Sequence, residues 1–121
     1  MIIVDTSVWV DFYRGRFPAL SPLLASGKVG LHPFVLGELA LGGFPTRGAT
    51  YESMTRLQPC QVASPSEALA LIDWADLQGT GIGYVDAHLL VSARLTLGAS
   101  LLTRDKRLRA QAERLGLAYA A

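Results

Sequence analysis

Four acidic residues stand out because of where they fall in the sequence. Asp5 follows the apolar run IIV, and Asp105 comes shortly after the apolar pair LL. Glu38 is the only charged residue of the segment HPFVLGELALGG, and Asp86 lies among apolar residues at the start of a predicted helix. Each also has an ordinary interpretation: a helix cap for Asp5 and Asp105, a favourable helix-dipole position for Asp86, and surface exposure for Glu38.

The chemistry of four converging carboxylates is that of a metal site. Carboxylates at close range raise one another's pKa values, and a divalent cation relieves that repulsion. A site made of oxygen ligands suits a hard ion, Mg²⁺ or Mn²⁺. Such a site can generate a hydroxide nucleophile and stabilise the leaving oxygen of a phosphodiester.

The elements that must position these residues are the strands and helices of an α/β fold. Short apolar runs alternate with helical patterns, which indicates a parallel sheet flanked by helices. Predicted strands cover residues 2–4, 29–31, 61–62, 101–102 and 117–119. In an open parallel sheet, ligands bind at the carboxyl ends of the strands that flank the switch in strand order. If the first and fourth strands are neighbours there, Asp5 and Asp105 meet.

Length and composition favour one globular domain, residues 1–121. Half of the residues are hydrophobic, the mean hydropathy is +0.31, and no apolar run approaches the roughly 20 residues of a membrane helix. The N-terminus lacks the basic region of a signal peptide, so we expect a cytoplasmic protein without a membrane partner. The single cysteine, Cys60, excludes an internal disulfide and a thiolate metal cage.

Four segments carry a resemblance to a known family: VDTSVWVDFYRG, PFVLGELALG, GIGYVDAHLL and LLTRDKRL. In this order they resemble the motifs of PIN-domain nucleases, and the match is best with the VapC-type toxins of bacterial toxin–antitoxin pairs. The resemblance spans essentially the whole chain, although the segment 45–58 matches nothing specific. It implies a five-stranded parallel sheet in the order 3-2-1-4-5, flanked by helices.

The resemblance also implies an activity, namely a Mg²⁺- or Mn²⁺-dependent endoribonuclease that hydrolyses RNA phosphodiester bonds. Asp5, Glu38 and Asp86 match the acidic core of the family, and Asp105 matches its more variable fourth acid. Two hydroxyl residues match positions beside the metal site: Thr6 and Thr103.

Partners are implied by the same resemblance: an RNA substrate, a cognate antitoxin and a second copy of the chain. The candidate RNA contacts are Arg104, Lys106, Arg107, Arg14 and Arg47. Five of the eleven basic residues lie between 104 and 114, a cluster that suits either a solvated helix face or phosphate contacts. The antitoxin tail would lie in a hydrophobic groove; the residues that either line it or belong to the core are Trp9, Phe12, Tyr13 and Phe17.

Other signals carry less weight. The segment GTGIG at 79–83 is interpreted as a tight turn that presents Asp86, since it follows no strand and does not fit GxGxxG. Neither His32 nor His88 is expected to bind the metal, and Trp74 is expected in the core.

Competing functions remain open at this stage. A phosphatase with an aspartyl nucleophile usually has a second Asp two residues after the first, and Ser7 stands there. A receiver domain would have an acceptor Asp at the end of the third strand, where the sequence has none. The remaining alternatives are a PIN-fold nuclease that is not a toxin, and a catalytically silent interaction module of the same fold; the silent module predicts damaged acidic positions.

Overall fold

A parallel β-sheet forms the centre of the protein in the computed structural model, which describes residues 1–120. The strands found in this range are β1 (Ile2–Val4), β2 (Val29–Leu31), β3 (Gln58–Pro59) and β4 (Ser100–Leu102). Their order across the sheet is β3-β2-β1-β4, and all three pairings are parallel. The chain adds β2 and β3 on one side of β1 and then places β4 on the other, so the switch in strand order falls between β1 and β4.

The prediction of a fifth strand at 117–119 is wrong for the part of the chain described. Ala118 forms a single isolated parallel bridge with Leu101. The Leu101 N–H donates to the Leu117 carbonyl (2.7 Å), and the Tyr119 N–H donates to the Leu101 carbonyl (2.9 Å). A strand needs a ladder of successive pairs, and one bridged residue does not make one. The order 3-2-1-4-5 is therefore corrected to 3-2-1-4.

The third strand was also misplaced by the sequence prediction. It forms at Gln58–Pro59 rather than at 61–62, and it pairs with β2 through Gly30 and Leu31. Both of its residues are exposed, so the strand has no apolar signal to mark it. A proline is tolerated there because β3 lies at the edge of the sheet.

Helices surround this sheet and connect its strands. Within residues 1–120 they are α1 (Thr6–Tyr13), α2 (Leu20–Ala25), α3 (Pro33–Leu41), α4 (Ala49–Thr55), α5 (Pro65–Trp74), α6 (Tyr84–Leu95) and α7 (Lys106–Arg114). The start of α5 shows most clearly how a local sequence pattern sets a helix boundary. The Glu67 N–H donates to Ser64 Oγ (3.1 Å), and the Ser64 N–H donates to Glu67 Oε1 (2.9 Å), which together form a capping box.

The hydrophobic core holds the acidic strand ends in place. All three residues of β1 are buried, and α6 packs a nearly continuous buried stretch, 87–93, against the sheet. Trp74 does not belong to this core: its side chain is 63% exposed, because α5 turns Ala68 and Leu71 inward instead. The Arg94 guanidinium covers the Trp74 ring at 4.2 Å. No helix in the described range is long and apolar enough to cross a membrane.

Candidate active site

Asp5 lies at the carboxyl end of β1 and is 4% exposed. It also caps α1, because its Oδ1 accepts the Thr6 N–H at 2.7 Å. Its Oδ2 accepts two hydroxyls at 2.7 Å each, from Ser7 and from Thr103. An ionised carboxylate has about four lone-pair positions, so these three donors fix Asp5 and leave it room for one more ligand.

Ser7 is a functional candidate that the sequence analysis missed. Its hydroxyl donates to Asp5, accepts the Arg104 N–H at 3.1 Å, and lies 3.4 Å from the Thr103 hydroxyl. It thus ties the end of β1 to the residues after β4. The sequence signal for Ser7 was its position, two residues after a strand-end acid and in the first turn of a helix. A hydroxyl there is equally typical of an ordinary helix start.

Glu38 projects from α3 toward the start of α1. Its Oε1 accepts the Thr6 hydroxyl at 2.7 Å. Thr6 therefore connects two acids, since its backbone N–H binds Asp5 and its side chain binds Glu38. The structure places Glu38 beside Asp5 through this one residue.

Asp105 follows β4 and caps α7, with its Oδ1 accepting the Leu108 N–H at 3.0 Å. Its own N–H donates to the Thr103 hydroxyl at 3.0 Å. Since Thr103 also donates to Asp5, one buried threonine joins the two acids across the strand switch.

Asp86 stands in the first turn of α6, where its Oδ2 accepts the Gly83 N–H at 3.0 Å. None of the hydrogen bonds within residues 1–120 joins it to the other three acids. Its pKa is nevertheless raised, first by burial and further by the negative charges of Asp5, Asp105 and Glu38, while the Gly83 hydrogen bond opposes the rise. The four carboxylates therefore share one region of the molecule and repel one another.

Repulsion among these carboxylates is not relieved by protein cations. The two ion pairs found in the described range, Arg104 with Asp11 and Arg109 with Glu113, involve none of the four acids. For Glu38, Asp86 and Asp105, one carboxylate oxygen is anchored, and the hydrogen bonds in residues 1–120 leave the other oxygen free. Free carboxylate oxygens without a cationic partner are a donor set that fits a hard divalent ion.

A closed metal cage is not preformed. Across residues 1–120, no three or more Asp, Glu, His or Cys side chains are close enough together to hold an ion as they stand. Mg²⁺ usually keeps several waters and binds through one or two carboxylates, so an open arrangement of anchored acids suits it.

The basic candidates differ in their surroundings. Arg104 is engaged by Asp11 at 2.8 Å, and its guanidinium lies 4.9 Å from the centre of the Phe17 ring. Arg107 packs over the backbone of Gly81 in the 79–83 loop, and Lys106 is exposed at the start of α7.

The remaining candidates lie on the α1 side of the molecule. Arg14 lines a groove of about 320 Å³ together with Glu38, Tyr13 and Phe44. Arg47 is exposed before α4, and the described contacts do not join it to the acids. Three of the four predicted aromatic residues cluster there, with Trp9 and Tyr13 stacked at 6.0 Å and Phe12 edge-on to Tyr13 at 5.2 Å, whereas Phe17 lies beside Arg104. Trp9 is a core residue, whereas Tyr13 reaches the groove.

Comparison with known proteins agrees with this fold. The family profile described as PIN domain matches residues 2–114. The chain is similar to Ribonuclease VapC32 of Mycobacterium tuberculosis, in strains CDC 1551 / Oshkosh and ATCC 25618 / H37Rv, with 42% identity over 120 residues, 99% of this chain and 97% of the relative. The crystal structure of FitAcB from Neisseria gonorrhoeae shares the fold, with a TM-score of 0.64, 20% identity and coverage of 93% of this chain and 94% of that one.

A parallel sheet with acids at its strand switch, together with the matching profile, defines the class. The chain belongs to the PIN-domain family, and its 42% identity over nearly the full length places it among the VapC-type members.

Proposed function

We propose that this protein is a metal-dependent endoribonuclease toxin, which hydrolyses RNA phosphodiester bonds and is neutralised by a cognate antitoxin. The observation that supports it most strongly is the set of four carboxylates beside the β1–β4 switch, anchored by hydroxyl and backbone donors and without a cationic partner in residues 1–120. VapC-type membership supports the RNA substrate, since the relative is a ribonuclease. The proposal takes residues 1–121 as one domain that acts in the cytoplasm, where RNA is available.

The metal would be held by Asp5, Glu38, Asp86 and Asp105, and it supplies activation of water and stabilisation of the leaving oxygen. The protein's part is to hold these acids in place. The Ser7 and Thr103 hydroxyls orient the Asp5 carboxylate, because both donate to its Oδ2. In-line hydrolysis leaves a 5′-phosphate and a 3′-hydroxyl.

The residues that position the RNA are basic side chains near this end of the sheet. Arg107 and Lys106 start α7 directly after Asp105, so their charges lie beside the acids. Arg104 is shared with Asp11, and Arg14 opens onto the groove that contains Glu38. Arg47 lies in the approach to α4 and is the most distant of the proposed contacts.

The groove beside Tyr13 and Phe44 is the proposed site of the antitoxin tail. It combines apolar walls with Glu38 and Arg14 at its rim, so a bound segment can cover apolar surface and reach the acids together. Occupation of this groove would block RNA from the carboxylates.

The proposed second copy of the chain binds elsewhere, at the α5–α6 face. A groove of about 390 Å³ there is lined by Leu71, Trp74, Leu95 and their neighbours, with Glu67 and Arg94 among them. A two-fold axis through this groove would set Glu67 of one copy against Arg94 of the other, which makes the face complementary to itself.

Cleavage by the purified protein tests the proposal. Wild-type protein is expected to cut RNA with Mn²⁺ or Mg²⁺ and to stop when EDTA is added. Asp5→Asn keeps an oxygen that can cap α1 but removes the charge, so we expect at least a hundredfold loss of cleavage with an unchanged circular dichroism spectrum.

Asp73→Asn, the same substitution at an exposed position of α5, is the matched control and should cleave like wild type. Full activity of Asp5→Asn, or cleavage that persists in EDTA, would contradict the proposal. A folded wild-type protein that cuts no RNA with either metal would favour the silent interaction module. Induced expression in a bacterial host, with RNA cut sites mapped, then separates a toxin from a nuclease that does not arrest growth.

A further inference from the structure

The glycine-rich loop at 79–83 forms one wall of a cavity that the proposed chemistry does not use. Gly79 and Gly81 have φ angles of 77° and 85°, which L side chains rarely adopt, so the loop turns sharply before α6. A cavity of about 260 Å³ opens beside it. Its walls come from α5, the segment between α5 and α6, and the start of α6: Ile72, Leu77, Gln78, Gly79, Gly81, Ile82, Gly83, Tyr84 and Ala87.

This cavity adjoins one of the four acids, Asp86. Gly83 lines it and donates its N–H to Asp86 Oδ2 at 3.0 Å. Tyr84 is the next residue, and 52% of its side chain is exposed at the cavity wall. Its ring meets the buried His88 edge-on, with 4.6 Å between ring centres, so the tyrosine is held in place while one side stays accessible.

The Arg107 side chain covers the loop at Gly81. A Cβ atom on Gly81 would lie 2.9 Å from Arg107 Cδ and 3.1 Å from its Nη1, so the arginine packs directly on the glycine backbone. Arg107 forms no ion pair within residues 1–120. It comes two residues after Asp105, and its side chain reaches the loop that leads to Asp86.

We propose that this cavity receives one unpaired nucleobase of the RNA strand whose phosphodiester lies at the four acids, with Tyr84 as the stacking surface and Arg107 contacting the adjacent phosphate. The inference rests on the proposed function and adds to it a subsite for one base of the bound strand. Proteins recognise single-stranded RNA by stacking exposed bases on aromatic side chains and by holding the phosphates with basic ones.

The character of the cavity fits a base better than an apolar ligand. Its volume is below the roughly 300–1,000 Å³ of pockets for drug-sized ligands, which suits a single planar ring system. Apolar side chains cover the faces of such a ring, and the backbone of the glycines offers polar groups to its edge. The free positive charge of Arg107 complements the phosphate that accompanies the base.

A binding experiment without metal or cleavage tests the cavity. The probes are the four ribonucleoside 5′-monophosphates and ribose 5-phosphate, which has the same phosphate and sugar but no base. Each is titrated in EDTA against isotope-labelled protein, and the amide signals of Gly79, Gly81 and Gly83 are followed by NMR. At least one nucleotide is expected to bind at least about fivefold more tightly than ribose 5-phosphate.

Three variants separate stacking from a general loss of structure. Tyr84→Ala should reduce the ratio of nucleotide to ribose 5-phosphate affinity to about one, whereas Tyr84→Phe should preserve it. Tyr51→Ala makes the same substitution on α4 and should leave the ratio unchanged.

Equal affinity for the nucleotides and ribose 5-phosphate in the wild type would overturn the proposal, and so would saturation by none of the four. A ratio that survives in folded Tyr84→Ala would overturn the role of Tyr84. Because these titrations involve no catalysis, a protein that cleaves RNA yet shows a ratio of one refutes the cavity alone. A protein that binds nucleotides as expected yet never cleaves refutes the proposed function alone.

Discussion

Hydroxyl groups, more than charges, organise the acids at the level of single residues. Ser7 and Thr103 donate to the same oxygen of Asp5, and Thr6 donates to Glu38. Each hydroxyl stands on a short side chain whose position is set by the backbone that follows β1 or β4. It can therefore orient a carboxylate with little loss of side-chain entropy. Groups of this kind around metal ligands typically set metal affinity without touching the metal.

Thr6→Val removes the hydroxyl that orients Glu38 while keeping the shape of the side chain. The Thr6 backbone N–H remains to bind Asp5, so only the link to Glu38 is lost. We expect the affinity for Mn²⁺ to fall roughly 10–100-fold, with activity recovered at high metal concentration. Calorimetric titration of the metal and the Mn²⁺ dependence of cleavage measure this.

Thr6→Ser keeps the hydroxyl and should behave like wild type. The matched hydroxyl change at an exposed helical site is Thr55→Val in α4, whose hydroxyl binds only a carbonyl of its own helix. An unchanged Mn²⁺ affinity in folded Thr6→Val would show that Glu38 is oriented by something else.

At the level of secondary structure, three of the four acids lie at the starts of helices. Asp5 caps α1, Asp105 caps α7, and the Asp86 side chain accepts the Gly83 N–H at the start of α6. The cap interpretation and the metal interpretation of these acids are therefore compatible, because each cap uses one carboxylate oxygen. Glu38 alone lies beyond the first turn of its helix, where the Thr6 hydroxyl fixes it instead.

The start of α3 gives a prediction about pH. His32 is fully buried, and its Nδ1 accepts the Phe34 N–H at 3.0 Å as the cap of α3. Burial, and secondarily the charge of His88, lowers the pKa of His32 to about 4. The unfolded chain has an ordinary histidine pKa near 6.5 and binds the proton first, so stability is lost as the pH falls from about 6.5 toward 4.

The expected loss from this group is about 2 kcal/mol in the free energy of unfolding between pH 7.5 and pH 5. Urea denaturation at several pH values measures it. His32→Asn keeps a side-chain acceptor for the Phe34 N–H but does not titrate, so it should flatten the pH dependence even if it lowers stability overall. The same slope in both proteins would mean that His32 is protonated in the folded state.

The sequence predicted the first strand better than it predicted the third. Asp5 was placed because a buried strand ends in an acid, a signal that depends on few residues. β3 was misplaced because its two exposed residues have no apolar pattern, and its position depends on pairing with β2. Ser7 was overlooked because its partner Thr103 is 96 residues away, and no local pattern reports such a contact.

At the level of the whole molecule, Trp74 is another residue whose position could not be predicted from local sequence. Sequence alone places a tryptophan in the core, but the inward side of α5 is already filled by small and aliphatic side chains. The ring instead lies on the surface under Arg94, beside Leu95 and other exposed apolar groups. An exposed tryptophan in an apolar groove is typical of a protein interface.

The groove on α5 and α6 lies apart from the groove that contains Glu38, since the two share no lining residue. The proposed second copy and the proposed antitoxin tail would therefore contact different residues, and none of the four acids lines the α5–α6 groove.

Trp74→Glu tests this arrangement. The substitution places a carboxylate where the proposed two-fold contact buries an indole ring, so we expect a loss of at least about 2 kcal/mol in association. Light scattering after size exclusion should give twice 13.0 kDa for the wild type and 13.0 kDa for the variant. Leu41→Glu puts the same charge on an exposed leucine of α3 outside the groove and should stay dimeric. A wild type that elutes as a monomer at high concentration, or a Trp74→Glu variant that remains a dimer, would remove the α5–α6 face as the interface.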